Sequence, residues 1–229
     1  MREVEKTAFA YIDEHFDEAV SFWQKLVEAE SPFWNKPAVD RTVSLMEEYA
    51  ASMGLSVRRC PSATTGDGLV VMSDPKRSYE HGIALSAHLD TVHEIGAYGP
   101  NPVRVEDGWM YGPGTGDCKG GAVMALYILL ALRHAGYTAR PIKLIFVGNE
   151  EGGRPEVENY IPPELTGSDV LFNCETGQEN SIVTSRKASI GAIFTIHGAA
   201  RHVGDVNTQP ASAIHAAAKK ILFLESLSD

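Results

Sequence analysis

Positive charge is in short supply: 20 lysines and arginines stand against 30 aspartates and glutamates, a formal net charge of −10. That deficit removes the electrostatic footprint of a nucleic-acid binder, and an anionic membrane surface would repel the chain. Cysteine is scarce too. Cys60, Cys118 and Cys174 are odd in number and widely spaced, which disfavours a disulfide framework and a CxxC zinc knuckle and leaves reduced thiols. The longest apolar run, Ala122 to Leu132, falls short of the ~20 residues that span a bilayer. Met1 to His15 is charged and lacks an apolar stretch followed by a small-residue cleavage site, so no signal peptide is visible and a cytoplasmic protein is expected. No internal repeat or low-complexity tract is apparent. What is present is a chain of 229 residues, 44% hydrophobic, enough for one large or two small domains with a buried core. Small solutes or peptides are the partners that such a balance suits.

Val4, Phe9, Ile12, Phe16, Val20, Phe22, Trp23 and Leu26 recur at helical spacing, predicting one amphipathic helix over 3–29 that Pro32 ends. A second helix is expected over 38–53, closed by Gly54. Short β-like runs follow at 55–59 and 69–73, then a compact apolar run at 82–87 that ends on His88. Trp109 to Tyr111 leads into the glycine-rich 112–121 and a mostly buried helix over 122–132. Further buried-type strands are expected at 141–147 and 169–174. Strands alternating with helices argue for an α/β sheet packed on both faces. From Ser189 the pattern changes to an alternating strand over 190–197, a polar loop, and an Ala-rich helix over 211–227. A first domain over 1–187 and the beginning of a second over 188–229 are therefore expected.

Acidic residues and histidine gather where apolar strands end or a helix begins: His88 and Asp90, Asp117, Glu150 and Glu151, and Glu175. Ligand sites of open α/β sheets lie at such ends. Any one of these has a bland reading as a helix cap or a solvated charge, but three strand-like runs each lead into a metal-compatible residue. Two divalent ions about 3.5–4 Å apart need a bridging carboxylate and terminal His and carboxylate ligands. Asp117, in a turn whose glycines allow close backbone approach, suits the bridge. Adjacent carboxylates such as Glu150 and Glu151 repel unless a cation or proton lies between them; one could ligate metal while the other acts as general base. A phosphate-cradling reading of 112–121 fails on detail, because Cys118 rather than glycine precedes Lys119. The dinucleotide fingerprint fails at Lys119 as well.

The motifs Ser86-Ala87-His88-Leu89-Asp90-Thr91-Val92, Gly114-Thr115-Gly116-Asp117-Cys118-Lys119-Gly120-Gly121, Gly148-Asn149-Glu150-Glu151-Gly152-Gly153 and Asn173-Cys174-Glu175 occur in series over nearly the whole chain. In order and spacing they resemble the dinuclear zinc family of glutamate carboxypeptidase, aminoacylase, succinyl-diaminopimelate desuccinylase, acetylornithine deacetylase and dipeptidases. The resemblance implies a mixed central sheet with helices on both faces, zinc exopeptidase-like, and the start of a small α+β lid or dimerisation domain. It implies two Zn2+ ions per site, with Co2+ or Mn2+ as alternatives. His88 and Glu175 would ligate one metal, Glu151 the other, and Asp117 would bridge them. Asp90 would orient the His88 imidazole, and Glu150 would be the general base that takes a proton from the metal-activated water and passes it to the leaving amine. Glu175, where aminopeptidases of the family tend to carry Asp, tilts the substrate toward N-acyl amino acids or small peptides with a free carboxylate. In Gly198-Ala199-Ala200-Arg201-His202-Val203-Gly204, His202 matches the oxyanion-stabilising His of the small domain, through which family members often form homodimers. Val203 stands where alanine is usual.

The family also carries a further His for the metal held by Glu151, and an Arg or Asn that grips the substrate carboxylate. After Glu175 the only histidines are His197, His202 and His215, none in that setting. Two expectations follow: a portion of an amide-cleaving hydrolase, or a non-catalytic metal-binding or dimerisation module. Keeping the base Glu150 beside a metal ligand favours the first. Cys118 beside the bridge is read as structural in preference to a thiolate ligand, Lys119 as ordering the turn, and the remaining histidines as surface or structural groups.

Overall fold

In the computed structural model, residues 2–153, 161–177, 181–185, 191–200, 202, 204 and 212–227 are described. The chain separates into two compact units, 1–181 and 182–229.

The first unit opens with two helices, α1 (Glu3–Glu14) and α2 (Phe16–Glu28), where periodicity predicts one. The apolar face runs on, but the backbone turns at His15 (φ −104°, ψ 13°). Its ring lies 4.2 Å from that of Tyr11 and its Nδ1 is 3.0 Å from Glu18 Oε2. Periodicity reports which face is apolar, not whether the helix is continuous. Helix α3 (Lys36–Ser52) starts two residues earlier than expected. Asn35 caps it, its side chain accepting from the Ala38 amide, and Pro37 sits in the first turn, where its missing N–H costs nothing.

Five strands form the main sheet in the order β1 (Ser56–Cys60), β2 (Gly68–Met72), β6 (Ile142–Val147), β3 (Gly82–His88), β7 (Ser168–Asn173). The first two pairings are antiparallel, while β6, β3 and β7 run parallel. Strands β4 (Arg104–Glu106) and β5 (Trp109–Tyr111) make a separate hairpin. One sheet face, with Leu69, Val71, Leu85, Ala87, Leu144 and Phe146, packs under α2, α3 and α4 (Gly121–His134) in a single core. On the other face Val70, Ala84 and Ile145 are fully buried. Lys143 shares that face; its Nζ lies 3.0 Å from Glu164 of the short helix α5 (Ile161–Leu165) and 3.9 Å from the centroid of the Tyr79 ring. The sheet is therefore mixed, with helices on both sides, as the motifs imply.

Three further expectations need correction. Strand β7 is not buried as its apolar run suggests, since Phe172 is 51% exposed; β7 is the edge of this sheet and β3 flanks only one side of it. The apolar stretch around α4 is longer than the run in the sequence: Thr115–His134, 20 residues, is long and apolar enough to cross a bilayer by length and composition. Most of it is packed inside the fold. In the second unit, 191–200 contains no strand. Alternating residues make a strand only where a neighbour accepts the ladder, and none pairs with it among the described residues. Helix α6 (Ala213–Glu225) follows, with the Ser212 side chain accepting from the His215 amide at 3.1 Å.

Candidate metal centre

Because β6, β3 and β7 are parallel and adjacent, their C-terminal ends open on one edge of the sheet. His88 is the last residue of β3, Glu150 and Glu151 follow β6, and Glu175 follows β7. Asp117 arrives from a wide helical turn (Thr115–Gly120) ahead of α4, in which the Asp117–Cys118 peptide bond is cis. Two glycines bring that segment in. Gly114 has φ +74°, and a Cβ there would lie 2.6 Å from Thr91 Cγ2. At Gly121 a Cβ would lie 1.8 Å from the Cys174 carbonyl oxygen, so the start of α4 touches the backbone next to Glu175.

The imidazole of His88, 1% exposed, is the hub. Its Nε2 lies 2.9 Å from Asp117 Oδ1 and 3.5 Å from Glu175 Oε1. Ligand atoms of His88, Asp117 and Glu151 all lie within 4.8 Å of one another, as do those of His88, Cys118 and Glu175. Burial acts against charge on His88, but Asp90, Cys118 and Glu175 outweigh it and hold its pKa well above the usual value. Burial raises the Glu150 carboxyl; His88 opposes that shift, and the charges of Glu175, Asp90 and Asp117 reinforce it. For Glu151 burial again leads, with Asp117, Glu150 and Asp90 adding to it against His88. Five carboxylates thus converge on one imidazole, an arrangement that favours a bound cation. The oxygen and imidazole donors suit a divalent ion such as zinc.

Asp90, fully buried, has a larger part than orienting an imidazole. The His88 Nδ1 lies 3.0 Å from the Asp90 backbone carbonyl and 3.5 Å from its carboxylate. That carboxylate accepts from the Glu150 amide at 3.1 Å and the Glu151 amide at 3.0 Å, so it sets the turn that presents both glutamates. Cys118 is internal to the site as well, its sulfur accepting from the His88 amide at 3.0 Å. Burial pushes its thiol pKa up, which opposes a thiolate ligand. Lys119 is fully buried and donates to the Leu26 carbonyl at 2.8 Å, tying the turn to the end of α2; burial brings its pKa down to about 7.

Ser31 left no sequence signal, and Asn149 was visible only as part of the motif that holds Glu150 and Glu151. Ser31 donates from Oγ to the Leu89 carbonyl at 2.6 Å, and its own carbonyl accepts from the Thr91 amide at 2.8 Å. Asn149 is buried with neither end of its amide hydrogen-bonded among the described residues. A cavity of about 250 Å³ opens beside Asp117 and Glu151, walled by Thr91, Val92, His93 and Tyr98. His202 lies in the second unit, exposed, its Nδ1 accepting from the Gly204 amide at 3.1 Å. Arg201 and Val203 lie outside the described residues.

Residues 84–219 match the sequence profile of the peptidase family M20/M25/M40. The chain belongs to that family. This M20 chain is 28% identical over 211 residues to carboxypeptidase G2 of Pseudomonas sp. (strain RS-16), covering 90% of this chain and 50% of that protein. It is 32% identical over 127 residues to the cysteinylglycine-S-conjugate dipeptidase of Corynebacterium striatum, covering 52% of this chain and 28% of the relative. Its fold matches that of human carnosine dipeptidase 1 with a TM-score of 0.61 and 22% identity, over 73% of this chain and 40% of the other. The M20 chain therefore spans half the length, or less, of these relatives.

Proposed function

We propose that the protein is a metal-dependent hydrolase that cleaves the amide or peptide bond of a small peptide or N-acyl amino acid, with Glu150 as general base. The observation that carries this reading is the convergence of His88, Asp117, Glu151 and Glu175 at one sheet edge, with Glu150 beside them. The relatives bear the names of a carboxypeptidase and of dipeptidases, which supports peptide-like substrates. Two Zn2+ ions are the proposed complement, with His88, Asp117 and Glu175 around one and Asp117 and Glu151 around the other. When bound, the metal supplies a water nucleophile near neutral pH and polarises the scissile carbonyl. Glu150, next in the chain to the proposed ligand Glu151, takes the proton of the attacking water. Asp90 holds the Glu150 and Glu151 amides and the imidazole edge, keeping base and ligand in register. His202 is the proposed donor to the oxyanion.

A second reading, a metal-binding or dimerisation module without turnover, has one observation behind it: among the described residues, the one imidazole within ligand distance of Asp117 and Glu151 is His88. Metal content measured together with turnover of N-acyl amino acids and dipeptides separates the two. The hydrolase reading expects two zinc ions per chain and, in Glu150→Ala, retained metal with a loss of about 100-fold or more in kcat. One ion or none, with no turnover, would leave the module. Retained metal in Asp117→Ala would remove the bridging assignment under either reading.

A further inference from the structure

At the opposite end of the sheet lies a second cavity, of about 220 Å³. Ile142, the first residue of β6, and Met72, the last of the antiparallel β2, contribute to its wall. The metal ligands follow the far end of β6, so the length of that strand, on the order of 20 Å, separates the two. Met72, Leu129, Leu132 and Ile142 give it an apolar lining, together with Tyr79 and Tyr137.

Four charged residues line this cavity: Asp74, Arg77, Arg133 and Arg140. Arg140 is compensated by Asp169, which also faces His81. Asp74 accepts from the Lys76 amide at 2.9 Å. The other two guanidiniums are held by neutral acceptors. Arg77 Nη2 donates to the Thr138 carbonyl at 2.6 Å, while Arg133 donates through Nη1 to the Gly54 carbonyl at 2.9 Å and through Nη2 to the Met53 carbonyl at 2.6 Å. Carbonyl bonds orient a guanidinium without neutralising it, and each guanidinium has five N–H donors. Among the described residues Arg77 and Arg133 therefore have no carboxylate partner and keep several free donors, in a protein whose net charge is −10.

We infer that this cavity is a binding site for a small organic carboxylate with a short apolar body, the carboxylate on Arg77 and Arg133 and the body on the Leu129–Leu132–Ile142 lining. The planar fork of a guanidinium matches carboxylate geometry, and the apolar lining gives an advantage that inorganic phosphate could not use. The volume, below that of most drug-sized pockets, limits the guest to a few carbon atoms. The site stands whether or not the metal centre hydrolyses amides.

Titration calorimetry on the full chain, stripped of metal by a chelator, tests this with three probes: 3-methylbutanoate, its uncharged amide, and inorganic phosphate. The carboxylate is expected to bind with Kd on the order of 1 mM, and the amide and phosphate more weakly. Arg77→Gln, which removes the charge from an exposed position, is expected to weaken carboxylate binding about tenfold, while Arg77→Lys, which keeps the charge but loses the planar fork, is expected to fall between the parent chain and Arg77→Gln. Glu151→Gln in the metal centre should leave it unchanged. Absence of saturable binding, equal binding by Arg77→Gln, phosphate binding tighter than the carboxylate, or loss of binding in Glu151→Gln would each overturn the assignment. A melting temperature for Arg77→Gln within a few degrees of the parent chain shows that the loss is local.

Discussion

The most consequential single residue is Asp90. With no exposed surface it accepts two backbone amides from the Glu150–Glu151 turn and borders the His88 ring. Asn in its place presents one acceptor and one donor group, so a buried amide loses its partner. Asp90→Asn is expected to cost about 2 kcal/mol of stability and, by loosening that turn, to weaken metal binding about 10- to 100-fold. Denaturant unfolding of the chelated chain and competition with a zinc indicator would measure the two effects separately; unchanged metal affinity would show that Asp90 serves stability alone. Much of the site at this scale was legible, because His88, Asp117, Glu150, Glu151 and Glu175 lie in short contiguous motifs whose chemistry is local. Ser31 and Asn149 were not. Their parts depend on backbone 58 residues away for Ser31 and, for Asn149, on close packing by Gly152, where a Cβ would lie 2.3 Å from its Oδ1. Nothing along the chain points to Ser31, and the motif that contains Asn149 does not show that its amide is buried without a partner among the described residues.

At the scale of elements, α4 and the end of β7 are joined by a contact with no slack. Gly121→Ala would set a methyl group 1.8 Å from the Cys174 carbonyl oxygen, and backbone cannot yield as a side chain tip does. About 3 kcal/mol of destabilisation is expected, with loss of the shared approach of Asp117 and Glu175 to the His88 imidazole. A thermal melt with metal titration checks it: a stable variant with normal stoichiometry would mean that α4 can retreat freely. Helix α3 is tied to β1 and β2 by charge instead. Asp67 takes Lys36 at 2.5 Å, Arg59 at 2.7 Å and the Ser62 amide at 2.9 Å. Burial works against its ionised form, but these partners prevail and keep its carboxyl below the ordinary value. A depressed folded-state pKa contributes stability above the unfolded value, and that stability disappears as pH falls through the folded one. Asp67→Asn is therefore expected to cost about 3 kcal/mol at pH 7, with the deficit shrinking as pH falls below about 4. Chemical denaturation across pH would show this; a deficit that does not change with pH would assign the effect to packing.

For the whole molecule, the second unit offers much apolar surface. Helix α6 carries Ile214, Ile221, Leu222, Phe223 and Leu224, Leu222 being 72% exposed. A surface of that kind drives association, so the chain is expected to self-associate at micromolar concentrations, and Leu222→Glu with Phe223→Glu to restore a monomer in sedimentation. A monomeric parent chain would refute this. The sequence by itself determined the side-chain chemistry and the order of the motifs, and with them the family, because residue type, hydrophobic period and spacing are properties of the chain alone. It located β3, β6 and α4 within a few residues, since long apolar runs have few alternatives. It did not reveal the break at His15, the exposure of β7, the absence of a strand over 191–197 or the two guanidiniums, without a carboxylate partner among the described residues, beside the cavity at the start of β6. Each of these depends on what lies beside a segment rather than within it. Only the parallel placement of β6, β3 and β7 decided that three distant motifs share one edge, and only the packing of α4 against β7 brought the Asp117 turn to them, because neighbours in a sheet are chosen by tertiary packing.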